Sequence, residues 1–276
     1  MLVPRPGTLL DRQLLVVTGK GGVGKTSVAT GLALLGASLG RRTLLCELDG
    51  TGDLARTLEC GSLTFAARQV QPQLWAMTMD TEASLAEYIR LQLRIPAIGR
   101  LGPLARALDF VAVAAPGVRE ILTIGKLCYE ARQNHYDLIV ADGTSSGHIV
   151  SQLGAPEALA ELVKAGPIRS QTAWMRAILA ERAAALVVTT PEEMPVTECL
   201  ELVERLNRET PVKVAGVVAN KVLPELFGRS EEEIFEGLCG AAPTDAICQA
   251  LGQAASCQRL KEVWSAPRLA VQLRRT

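Results

Sequence analysis

The residues Gly19-Lys20-Gly21-Gly22-Val23-Gly24-Lys25-Thr26 fit the pattern G-x-x-x-x-G-K-[ST]. An apolar, β-branched run over Leu14–Thr18 ends just before the glycines, and a helical pattern from about Lys25 to Leu39 starts within them. That strand–loop–helix context makes the motif a phosphate-binding P-loop. Glycines let consecutive backbone N–H groups turn inward around a phosphate, while the helix N-terminus adds positive potential. Gly19, Gly21, Gly22, Val23, Gly24, Lys25, Thr26 and Ser27 are therefore the candidate nucleotide-binding residues. Among them, Lys25 is placed to reach the β- and γ-phosphates and the Thr26 hydroxyl to coordinate Mg²⁺. Gly40 falls where a C-cap glycine closes the helix, with Arg41 and Arg42 at the negative end of its dipole.

Working outward, short Leu- or Val-rich runs alternate with longer helical patterns, the mark of a parallel sheet. Strands are expected near Leu14–Thr18, Thr43–Leu48, Leu74–Met79, Asp137–Ala141, Ala185–Thr189 and Val212–Ala219. Several are apolar at consecutive positions, as central strands covered on both faces require. Residues 82–134 and 155–182 instead read as helices, broken at Pro96, Pro103, Pro116-Gly117 and Gly166-Pro167. The expectation is a single α/β domain over 1–276, with a doubly wound, mostly parallel sheet, helices on both faces and a helical layer added at one end.

Composition sets the outer limits. The 276 residues carry 29 Lys+Arg against 29 Asp+Glu, so a nucleic-acid partner held by bulk charge is not expected. An apolar share of 48% excludes intrinsic disorder. Neither a signal peptide nor an uncharged stretch of about 20 residues is evident, so no transmembrane segment is expected. The seven cysteines form no C-x-x-C pair and follow no metal-ligand spacing, which suits reduced thiols in a cytoplasmic protein.

Two acidic strand ends add chemistry to the loop. Strand two runs into Glu47-Leu48-Asp49-Gly50-Thr51-Gly52-Asp53. A carboxylate there lies at the ligand-binding edge of a parallel sheet, from which Asp49 can orient a water for in-line attack on a γ-phosphate. Glu47 and Asp53 read equally as site carboxylates or as solvated or helix-capping ones. Leu138-Ile139-Val140-Ala141-Asp142 is a Walker B pattern, with Asp142 near Mg²⁺ through coordinated water. Strand six ends Asn220-Lys221-Val222-Leu223, with Leu223 where a guanine-reading Asp would stand. Asn220 can still pair with adenine, so ATP is the expected nucleotide.

With Lys20 included, K-G-G-V-G-K-T resembles the deviant Walker A of the family that holds ArsA arsenical-pump ATPases, tail-anchored-protein targeting ATPases, MinD, ParA and the nitrogenase iron protein. The resemblance implies that Lys20 crosses a dimer interface to the partner's nucleotide. Asp49-Gly50-Thr51 aligns with the switch I pattern D-P-A, Gly50 replacing Pro and pointing to a more mobile loop. Asp142 to His148 resembles switch II, D-T-A-P-T-G-H, departing at Gly143, Ser145 and Ser146. Gly147-His148 sets this group apart from MinD and ParA. By the same resemblance Asp49, Asp53, Gly147 and His148 are switch residues, Lys20, Lys25 and Asp49 are catalytic, and Glu192 approaches nucleotide near the dimer interface. Pro116-Gly117-x-x-Glu120 matches a motif of the family's helical region.

The resemblance covers roughly residues 10–225 and is strongest to bacterial ArsA-like members. It implies a Mg²⁺-dependent ATPase working as a homodimer, or a heterodimer with a paralogous ATPase. A membrane-protein client or partner is implied too, with membrane association only through it. Two other readings stay open: a MinD- or ParA-like spatial organiser, and a weakly active nucleotide-binding subunit of a heterodimer. Residues 82–134 contain no Met and 155–182 only Met175, unlike a Met-rich client groove. Relatives continue past the tail at 267–276 into a last strand and loop, so truncation of this chain's end also stays open.

Overall fold

Apolar residues at every position of a strand demand cover on both sides of the sheet, and that requirement organises this chain. The computed structural model describes residues 9–93, 117–162, 167–222 and 252. The strands are β1 (Leu14–Gly19), β2 (Thr43–Glu47), β3 (Arg68–Gln71), β4 (Leu74–Thr78), β5 (Leu138–Ser145), β6 (Ala183–Thr189) and β7 (Lys213–Ala219). The helices are α1 (Lys25–Ser38), α2 (Asp53–Thr57), α3 (Thr81–Leu93), α4 (Val118–Gln133), α5 (Ser146–Leu162), α6 (Pro167–Glu181) and α7 (Glu193–Glu209).

The strands form one sheet in the order β3-β4-β2-β5-β1-β6-β7, all parallel except β3 at the edge. The six expected strands are present. Strand β3 was not anticipated: Arg68-Gln69-Val70-Gln71 is mostly exposed and polar, so it has no apolar run to betray it. Strand β5 continues three residues past Asp142 to Ser145, through a Gly143 whose missing Cβ leaves room for the carbonyl of Val17.

The parallel strands feed two cores. On one face Leu15, Val17, Leu45, Val140 and Leu186 pack with Val28, Ala29 and Ala33 of α1 and Leu54 of α2. On the other, Leu14, Val16, Cys46 and Ile139 pack with Ile124, Leu127 and Cys128 of α4, and with residues of α5, α6 and α7. Burying each such Leu or Ile contributes roughly 1.5–3 kcal/mol. The expected helical layer is thus placed differently from the sequence reading. Its α4 and α6 cover a sheet face rather than extending one end. Among the described residues only α3 rides outside α4, tied to it by buried Lys126, whose amine lies 2.8 Å from both Glu87 of α3 and Glu130 of α4. A cavity of about 970 Å³ opens among α3, α4, α5 and α6.

The helix expected from residue 155 starts earlier in the chain. That residue lies inside α5, and the helix begins at Ser146 directly after β5. The thiols of Cys46 and Cys128 are wholly buried and held protonated by that burial. Residues 94–116, with Pro96 and Pro103, Leu223 and the tail at 267–276 lie outside the described residues.

Candidate functional site

Because β1, β2, β5, β6 and β7 are parallel, their C-terminal ends share one edge, and each delivers a site residue there. The P-loop follows β1, Asp49 follows β2, Asp142 stands within β5, Glu192 follows β6 and Asn220 follows β7. The order places β1 between β5 and β6, so the P-loop is flanked by the Asp142 strand on one side and the helix after β6 on the other.

The loop's backbone is polarised by its neighbours. Its outward carbonyls are capped: Lys25 Nζ donates to Lys20 O at 3.3 Å, Lys221 Nζ to Gly22 O at 2.8 Å and Asn220 Nδ2 to Val23 O at 2.8 Å. No acidic residue lies in the first turn of α1, so the positive end of that dipole is uncompensated. Gly24 is in the left-handed region, and a Cβ there would run into Asn220 Nδ2. This is a cradle for an anion.

Asp142 is buried against α1. Desolvation pushes its carboxyl up to about 6, with the charges of Glu47 and Asp49 in the same direction, against the Thr26 hydroxyl bond and the Lys25 charge. Its Oδ1 is buried with no hydrogen-bond partner. An orphaned carboxylate oxygen next to a threonine hydroxyl is a donor set suited to a hard cation such as Mg²⁺. Asp49 itself is exposed, at the tip of the loop that joins β2 to α2.

That loop departs from the sequence expectation. Gly50 has φ +65 and lies against the carbonyl of Met79, and Gly52 has φ +76. Proline cannot adopt φ +65, so Gly50 gives the loop a different path from a D-P-A loop. The Glu47 carboxylate at its base accepts from Leu54 N at 3.2 Å and from the Thr78 hydroxyl at 2.9 Å. Of the two acids left open, Glu47 is a buried anchor. Asp53 pairs with Arg56 at the start of α2. Gly147 and His148 are exposed in the first turn of α5.

Sequence reasoning missed two partners. The first is Glu198 on α7, whose Oε1 lies 2.6 Å from Lys20 Nζ. Glu192, in the same region, is the exposed N-cap of α7. The usable signal for Glu198 was an acid in the second turn of the helix after the strand that neighbours β1. The second is Lys221, which braces the P-loop beside Asn220. Asn220 spends its Nδ2 on the loop, which leaves Oδ1 as its acceptor.

Residues 12–182 match the model of the anion-transporting ATPase family. ATPase BagA of Mycobacterium tuberculosis is 31% identical over 231 residues, covering 79% of this chain and 68% of that protein. ATPase GET3 of Podospora anserina is 28% identical over 168 residues, covering 58% of this chain and 49% of its own length. The Aquifex aeolicus protein named arsenical pump-driving ATPase 2 is 25% identical over 243 residues, covering 75% and 79% respectively. Among the described residues, no helix is long and apolar enough to cross a membrane.

Proposed function

The chain belongs to the anion-transporting ATPase family, and we propose that it hydrolyses ATP as a nucleotide-controlled dimer, with Mg²⁺, in the service of a membrane-protein or transport partner. ATPase activity comes with the family. The finer reading rests on one observation above the others. A complete deviant Walker A loop, carrying both Lys20 and Lys25, shares the sheet edge with Asp49 and with the orphaned oxygen of Asp142.

In this reading the P-loop amides and Lys25 hold the β- and γ-phosphates, and Asp49 orients the attacking water. Thr26 and Asp142 would hold Mg²⁺, which neutralises charge on the phosphate oxygens when bound. Asn220 Oδ1 accepts from the adenine amino group, whereas guanine offers an acceptor at that position. Lys20 reaches the nucleotide of the second subunit, and the movement passes through α5 to the remaining helices as one domain. The name of the Aquifex relative lends weight to a pump-like partner.

Steady-state hydrolysis and ATP-dependent dimerisation test the reading together. Asp49→Asn is expected to cut turnover to a small residual rate while ATP still binds. Lys20→Ala is expected to weaken dimerisation more than ATP binding. Wild-type turnover no faster than that of Asp49→Asn would sink the catalytic assignment, and equal losses in Lys20→Ala would sink the trans role.

A further inference from the structure

Glu47 ends β2, next to Asp142 in register on β5, and is only 3% exposed. A carboxylate that deep needs donors. It has two of its own and shares a third with Asp53, from three different segments. Leu54 N, in the first turn of α2, donates to Oε1 at 3.2 Å. The Thr51 hydroxyl lies between Glu47 Oε1 at 3.2 Å and Asp53 Oδ2 at 2.9 Å. The Thr78 hydroxyl, at the end of β4, donates to Oε2 at 2.9 Å.

The backbone closes the frame. Leu48 N donates to Asp142 O at 3.1 Å, and Met79 N to Glu47 O at 2.8 Å. Asp49 is therefore suspended between two fixed points: Leu48, tied to the Asp142 strand, and Thr51–Leu54, tied to the Glu47 carboxylate. Gly50 and Gly52, both at positive φ, are the turning points between them.

We propose that Glu47 is the positioning residue of the reaction: its carboxylate fixes the loop that holds Asp49 at the nucleotide edge of the sheet. The inference rests on the assignment of Asp49 as the residue that orients water. Glu47 has its oxygens committed to protein donors and acts only through the loop. Small displacements of a water-orienting group are costly, since misplacement by about 1 Å lowers rates roughly 100-fold. Losing the anchor should therefore be read in turnover and not in nucleotide affinity.

The test uses the full chain with Mg²⁺ and ATP, measuring kcat, KM and ATP affinity by calorimetry. Glu47→Ala should lower kcat about 10- to 100-fold, with KM and ATP affinity within about threefold. Glu47→Gln keeps an oxygen for Leu54 and Thr51 and an NH₂ for Thr78, so it should restore most of kcat. Thr78→Val, which removes one anchor bond without opening a cavity, should give an intermediate loss and covers the case in which Glu47→Ala does not fold. Glu47→Ala combined with Asp49→Asn should be no slower than Asp49→Asn alone.

Multiplying losses in the double variant would overturn the inference while leaving the Asp49 assignment intact. A Glu47→Gln variant as slow as Glu47→Ala would overturn it as well, because charge rather than position would then matter. An Asp49→Asn variant with normal kcat would instead sink the assignment on which it rests.

Discussion

Lys20 Nζ and Glu198 Oε1 are 2.6 Å apart, each side chain about one-third exposed (33% and 35%), so the lysine of the deviant motif is held within its own chain. To reach a second subunit's nucleotide it must exchange this carboxylate for phosphate. At such exposure the pair contributes no more than about 1 kcal/mol. Glu198→Gln is therefore expected to lower the protein concentration for half-dimerisation at saturating ATP by up to about fivefold for each pair released. Sedimentation at fixed ATP measures it, and a dimer weakened by the substitution would show that Glu198 assists Lys20 rather than restraining it.

The loop around Asp49 supplies a second expectation. Gly50 at φ +65 has room for a methyl group, the nearest atom to a Cβ being Met79 O at 3.6 Å, so alanine would suffer only from its dihedral. Left-handed backbone costs a non-glycine residue about 1–2 kcal/mol. Gly50→Ala should slow hydrolysis modestly. Gly50→Pro, locked near φ −65, cannot take the path at all and should remove turnover while leaving ATP binding in place. Parallel turnover and calorimetry on the two variants check the order; a proline variant with normal kcat would mean that the loop rebuilds freely.

Much of this site was legible because its signals are local. The P-loop is a contiguous motif, and Leu14–Gly19, Thr43–Glu47 and Leu138–Asp142 are apolar runs that end in the residues of interest. What stayed hidden is held by contacts between distant segments. Glu198 meets Lys20 across 178 positions and Asn220 meets Val23 across 197, and no periodicity reports such pairs. The path at Gly50 stayed hidden because a glycine in place of a family proline does not say which φ the loop takes; the positive φ and the Glu47 anchor appear only in the fold. Strand β3 escaped because an edge strand facing solvent needs no apolar pattern.

Asn220 gives a third prediction, in the brace of the P-loop. Its amide is buried and donates to Val23 O at 2.8 Å, whereas Lys221 reaches Gly22 O from an exposed position. Removing a buried partner leaves the carbonyl unsatisfied at a cost of about 1–3 kcal/mol. Asn220→Ala should therefore weaken ATP binding by about 5- to 100-fold. Lys221→Ala should weaken it far less, because water can replace the exposed amine. Asn220→Asp, which sets an oxygen against the Val23 carbonyl, should be at least as damaging as alanine. Titrating ATP into each variant decides; equal effects at 220 and 221 would place the brace in the charge of Lys221 instead.

The last expectation sets stability against function at Asp142. Its Oδ1 is buried without a partner, and desolvation is the largest influence on its carboxyl. In the nucleotide-free chain such a group opposes folding at neutral pH, since a charge has left water without full compensation. On the reading proposed above, the same oxygen would hold Mg²⁺, the trade-off expected of a functional site. Asp142→Asn removes the charge at nearly constant volume. It is expected to stabilise the nucleotide-free protein by up to about 3 kcal/mol, raising Tm by several degrees, while abolishing Mg²⁺-dependent hydrolysis. It should also remove the extra thermal stability that Mg²⁺ with ATP confers on the wild type. Thermal melts with and without Mg²⁺ and ATP make the comparison. A less stable nucleotide-free Asp142→Asn chain would mean that the carboxylate holds the fold together through Thr26, and that its orphaned oxygen costs little.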